Sequence, residues 1–173
     1  MKRIGWLCEL FGFAVTALGG TVLHFLYDWL GKPIWIAPFS GINESTWEHM
    51  KLLFWPVFIY ALIQSIFFRS EAGFWCVKLK GTLIGLAMIP LLFYSYNGVI
   101  GKSPDWINIA IFFISAAILF IYQARANLNS PSCKAPRLAL FTLCIIGIAF
   151  VVFTFFAPHL GIFRDPLTGS YGI

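Results

Sequence analysis

Five apolar runs, each long enough to cross a bilayer, constrain this chain more than anything else in it. They cover about residues 5–30, 44–68, 74–100, 106–124 and 138–158. A hydrocarbon core of ~30 Å needs about 20 apolar helical residues, and in lipid a spanning helix satisfies its own backbone polar groups. The expected fold is all-α: one integral membrane bundle of five transmembrane helices, with an outer loop at 31–43 and a C-terminal tail at 159–173. Composition agrees, because only 11% of the 173 residues are charged and 60% are hydrophobic, whereas soluble domains carry roughly 25% charge. The first run exceeds a signal-peptide core, and no small-residue cleavage site follows it, so it reads as a retained helix.

Five spans put the termini on opposite sides. With the N-terminus inside, Lys2, Arg3, Arg69, Lys78, Lys80, Arg125, Lys134 and Arg137 are cytoplasmic, and Lys32, Lys51, Lys102 and Arg164 are outside. That asymmetry predicts a cytoplasmic N-terminus and an extracytoplasmic C-terminus in a cell membrane. The basic residues sit at span ends with no exposed cluster, so nucleic acid is not an expected partner. Cys8, Cys76, Cys133 and Cys144 include no CxxC and none falls on the outer face, so no structural disulfide is expected.

The acids sort the other way. Asp28, Glu44, Glu48, Asp105 and Asp165 all fall outside, as do His24, His49 and His159. The densest chemistry is Asn43-Glu44-Ser45-Thr46-Trp47-Glu48-His49. Asn43 suits a helix N-cap, with Glu44 in the first turn. At 100° per residue, Glu44, Ser45, Glu48 and His49 share one arc of about 140°. The plainer alternative is an N-terminal cap, with Glu48 neutralised by Lys51. His24 and Asp28 are four apart and stack on one face of the first span. Gly31, Pro33, Pro38 and Gly41 make the connection to Asn43 a folded loop. Asp165-Pro166-Leu167-Thr168-Gly169 is turn chemistry, so the tail is expected to fold back, with Asp165 joining the cluster and Tyr171 capping it. Glu9 reads as an interfacial carboxylate snorkelling to Arg3 or water.

The combination of His24, Tyr27-Asp28-Trp29, Asn43 to His49 with Lys51-Leu52, Gly98 to Lys102 and Asp165 to Gly172 resembles a family of small bacterial membrane proteins catalogued as domain of unknown function 6512. The resemblance covers nearly the whole chain and implies no particular activity.

Three functions follow from the residues. The first is metal-assisted hydrolysis or transfer on a lipid-like substrate. His24, Asp28, Glu48 and His49 would ligate zinc or another first-row divalent metal, Glu44 and Ser45 would be catalytic, and Asn43, Asp165 and Tyr171 would support them. The second is a small transporter or solute-binding subunit with the cluster as its outer gate. It should also carry polar groups deep in the bundle and toward the inner half, where only Glu9, Thr16, Gln64 and Ser115 are candidates. The third is a structural or accessory protein. Membrane lipid is the expected partner throughout, and the short chain suits a homo-oligomer or a membrane partner.

Overall fold

The structure is a computed structural model that describes residues 5–68, 73–101, 104–128 and 133–173. Helices α1 (Trp6–Trp29), α2 (Thr46–Phe68), α3 (Phe74–Val99), α4 (Asp105–Leu128) and α5 (Pro136–Phe155) follow one another along the chain. All five are long and apolar enough to cross a membrane. Helices α1 to α4 form a ring in which each packs on the next and α4 closes back on α1, while α5 lies against α2 and α3. The core is apolar, centred on Leu53, Phe54, Ala116, Leu119, Leu143 and Phe150. Large apolar residues such as Leu7, Leu18, Ile66 and Ile148 point outward, as lipid rather than water requires.

Glycine sets how closely the ring closes. A Cβ on Gly81 would come within 2.6 Å of Gln123, and one on Gly85 within 2.8 Å of Leu119, so this small-residue pair is the seam between α3 and α4. Gly12 faces Tyr60 and Phe120 in the same way, and Gly20 faces Phe112.

Helix α2 begins at Thr46, later than the sequence pattern suggested. The Asn43 side chain accepts from the Ser45 N–H at 2.9 Å and closes a turn ahead of the helix. Ser45 Oγ then accepts from the Glu48 N–H at 3.3 Å, so Ser45 is the N-cap rather than Asn43. Glu44 therefore precedes the helix, and the expected helical arc does not include it.

The absence of a disulfide is also corrected. Cys76, in the first turn of α3, is bonded to Cys133, which lies between α4 and α5, with Cα atoms 5.9 Å apart. Packing of α5 on α3 brings these two distant positions to one end of the bundle. Glu9 is corrected as well. It is 1% exposed and accepts from Lys78 Nζ at 2.9 and 3.2 Å and from Asn127 Nδ2 at 3.1 Å. Lys78, expected at the cytoplasmic surface, is buried and also donates to Gln123 Oε1 at 2.6 Å.

Candidate metal centre

The loop between α1 and α2 builds the site by docking on α1. Ser40 Oγ accepts from the Tyr27 N–H and donates to the Leu23 carbonyl. An uninterrupted helix would pair those two backbone groups with each other, so Ser40 bridges the ladder one turn from the end of α1. The Gly41 N–H also donates to the Leu23 carbonyl at 3.1 Å. A Cβ on Gly41 would lie 3.6 Å from His24 Nδ1, so the loop passes directly over that imidazole. Three residues later the chain presents Glu44.

A second fastening comes from below. Lys51 is fully buried and ion-pairs with Glu48 at 2.5 Å. It also donates to the Ala37 carbonyl at 2.7 Å and to Thr154 Oγ1 at 3.1 Å. The second Glu48 anchor is the Ile42 N–H, which donates to Oε2 at 3.1 Å. Trp55 Nε1 donates to the Pro38 carbonyl at 2.9 Å. The loop is thus clamped to α1, α2 and α5 at once.

The result is a trio. His24 Nε2 and His49 Nε2 each stand 3.6 Å from a Glu44 carboxylate oxygen, one on Oε1 and the other on Oε2. The two imidazoles lie 5.9 Å apart between ring centres. Each of the three residues offers a ligand atom, and all three atoms fall within 4.8 Å of one another. His49 Nδ1 is 3.0 Å from the Ser45 carbonyl, an oxygen that can only accept, so Nδ1 carries the proton and Nε2 keeps its lone pair toward the trio. All three residues are partly buried.

The trio forms the polar end of a cavity of about 350 Å³ between α1 and α4. Its other walls are largely apolar: Gly20 and Phe25 from α1, Ile109, Phe112 and Phe113 from α4, and Leu167 from the tail.

Of the residues singled out in the sequence, His24, Glu44 and His49 come together. Asp28 does not join them; it is 64% exposed and pairs with Lys32 at 3.4 Å. Glu48 points away into the Lys51 pair. Ser45 is 1% exposed, and its hydroxyl is engaged as the helix cap. The tail does fold back, through a bridge between Arg164 and Tyr171 and a 3.4 Å bond from Asn43 Nδ2 to the Gly172 carbonyl. The Asp165 carboxylate serves its own turn, accepting from the Leu167 N–H at 2.8 Å and from Thr168 Oγ1 at 2.7 Å. Tyr171 stacks on His159 rather than on the cluster, with ring centres 4.7 Å apart. Sequence reasoning missed Ser40 and the aromatic cavity wall on α4. A lone serine in a Pro/Gly-rich loop and phenylalanines on an apolar helix carry no distinguishing local signal.

Fold and site together define a multi-pass helical membrane protein with a histidine–carboxylate cluster at one end of its bundle. The chain belongs to a family of unknown function (DUF6512), whose model matches residues 4–173. No curated protein and no solved structure matches it.

Proposed function

We propose that this protein holds a divalent first-row metal at His24, Glu44 and His49 and uses it in hydrolysis or group transfer on a lipid-like substrate. The observation that carries the reading is the convergence of two imidazole nitrogens and one carboxylate at the polar end of a largely apolar cavity. Two histidines and a glutamate with an open fourth position are a donor set of catalytic zinc. Tetrahedral ligands at ~2.0–2.1 Å stand about 3.3 Å apart. The trio's ligand atoms lie within 4.8 Å of one another, so binding would need rotamer changes that draw them together.

Held by His24, Glu44 and His49, the metal would supply Lewis acidity and a more acidic water for attack on a carbonyl or phosphoryl centre. Glu44 would be the proton acceptor beside it and would return that proton to the departing oxygen. Glu48 is unsuited to that base role because Lys51 and the Ile42 N–H occupy its carboxylate.

The cluster faces the extracytoplasmic side of a bacterial inner membrane in this proposal. Lys51 and Lys78 are internally paired. Setting both aside leaves, among the described residues, Lys80, Arg125, Lys134 and Arg137 at the opposite end against Lys32 and Arg164 at the cluster's end; Lys2, Arg3, Arg69 and Lys102 lie outside the described residues. The Cys76–Cys133 bond at that same end pulls the other way, since cytoplasm keeps thiols reduced. A reporter fused to the C-terminus decides between them, and cytoplasmic activity of that fusion overturns the orientation.

The test of the metal reading is zinc titration and elemental analysis of the detergent-purified protein. His24→Ala, Glu44→Ala and His49→Ala should each lower affinity at least 100-fold, whereas Asp28→Asn should bind as the parent does. Undiminished metal in His49→Ala sinks the proposal.

One observation favours the transporter as the second reading. Glu9, Lys78, Gln123 and Gln64 are buried at the opposite end, and Thr16 is buried midway along α1. Buried polar groups thus occupy both halves of the bundle, as a pathway requires. Loss of solute flux in proteoliposomes on Glu9→Gln, with metal binding intact, would support it.

A further inference from the structure

We infer that the cavity beside the trio is a lateral port for one acyl chain, open to the bilayer between α1 and α4. An amphiphile handled here then arrives from lipid rather than from water. The inference rests on the metal reading only for what happens at its polar end; the port itself rests on the walls.

Phe25, Ile109 and Phe113 line the cavity and are also exposed on the outside of the bundle, by 45%, 58% and 36%. Residues that belong to a cavity wall and to the outer surface mark its mouth. These lie on helices apolar enough to span a membrane, so lipid chains are the medium at that mouth. A substrate entering between Phe25, Ile109 and Phe113 crosses an apolar rim at which lipid chains already stand.

The depth is set by one contact. A Cβ on Gly20 would stand 2.3 Å from Phe112 Cζ, so the Phe112 ring is seated on the bare backbone of α1 and floors the cavity. Gly20 is one helical turn from His24, which at 1.5 Å per residue makes the port about 6 Å deep along the helix axis. That accommodates the head of a chain and its first few carbons, and the remainder stays in the bilayer. The cavity's volume of about 350 Å³ is at the small end of ligand sites, which suits the start of a single flexible chain. The reacting group is thereby placed at the polar end, at the junction of head and chain.

The tail supplies the roof. Leu167 lines the cavity from the side of the loops. It is held there by the Asp165 turn, with its own N–H donating to the Asp165 carboxylate, and by the Arg164–Tyr171 bridge.

The experiment uses the full chain in phosphatidylglycerol/phosphatidylcholine nanodiscs and a photoactivatable fatty acid with a diazirine close to its carboxyl end, mapped by peptide mass spectrometry. Labelling should concentrate on 20–25 and 109–113. Ile109→Trp and Phe113→Trp, which plug the mouth with large side chains, should each lower it at least fivefold without changing the melting temperature. Labelling spread evenly over all lipid-facing helices, or concentrated labelling that neither plug reduces, overturns the port. The same mapping, set beside elemental analysis of the parent, separates the two ideas. Port labelling without metal in the parent sustains the port and sinks the metal reading; metal in the parent with even labelling does the reverse.

Discussion

Among the described residues, each end of the bundle buries one lysine–carboxylate pair, and the two pairs are built differently. Glu48 and Lys51 are three residues apart on one helix, and their remaining partners are the backbone of Ile42 and Ala37 and the hydroxyl of Thr154. Glu9 and Lys78 are 69 residues apart, and with Gln123 and Asn127 they join α1, α3 and α4. The first pair fastens a loop, and that loop carries Glu44 to two histidines. The second fastens helices to one another. Burying an ion pair costs desolvation that its mutual attraction only roughly offsets. Both pairs are thus better understood as devices that fix geometry than as sources of net stability, one serving the site and the other the bundle.

That contrast can be broken. The largest effect should come from Lys78→Met, which leaves a buried carboxylate without its cation and should cost about 3–5 kcal/mol, read as a lowered melting temperature in detergent. The double variant Glu9→Gln/Lys78→Met removes both charges and should recover most of the loss. A double variant as unstable as the single would show that the pair itself supplies the stability.

Lys51→Met should cost less, roughly 2–3 kcal/mol for lost charge-assisted hydrogen bonds, because Lys51 fastens one loop whereas Lys78 ties α3 to α1 and α4. It should also raise hydrogen exchange in 36–44 and weaken zinc binding, neither of which Lys78→Met, corrected for stability, should do. Ser40→Ala comes next, at about 1 kcal/mol, again with reduced zinc affinity, since it removes the bridge that docks the loop over His24. Reduction of Cys76–Cys133 should matter least, about 1 kcal/mol or below and under the usual range for such bonds. Helices α3, α4 and α5 already hold its ends together in the membrane. A larger drop in melting temperature would mean that the α4–α5 connection depends on that covalent link.

The same contrast explains what could be read in advance. The Glu48–Lys51 pair was legible because helical periodicity alone places i and i+3 on one face. Its consequence, that Glu48 is withdrawn from the site, follows only once Ile42 is seen to occupy the same carboxylate. The Glu9–Lys78 pair was illegible, because each residue taken singly looks like an interfacial charge at a span end. Asp28 was placed beside His24 by correct spacing, yet four residues at the end of a helix also bring it within reach of Lys32, which won.

The sequence by itself determined the five helices, the end of the bundle where histidines and acids collect, and the folding back of loop and tail. Hydropathy, glycine and proline positions and turn chemistry act over a few residues, and local physics is enough to read them. Tertiary structure alone decided which carboxylate meets the histidines. That choice depends on Ser40 docking on α1 and on Lys51 claiming Glu48, two contacts between segments that are neighbours only after the helices have packed.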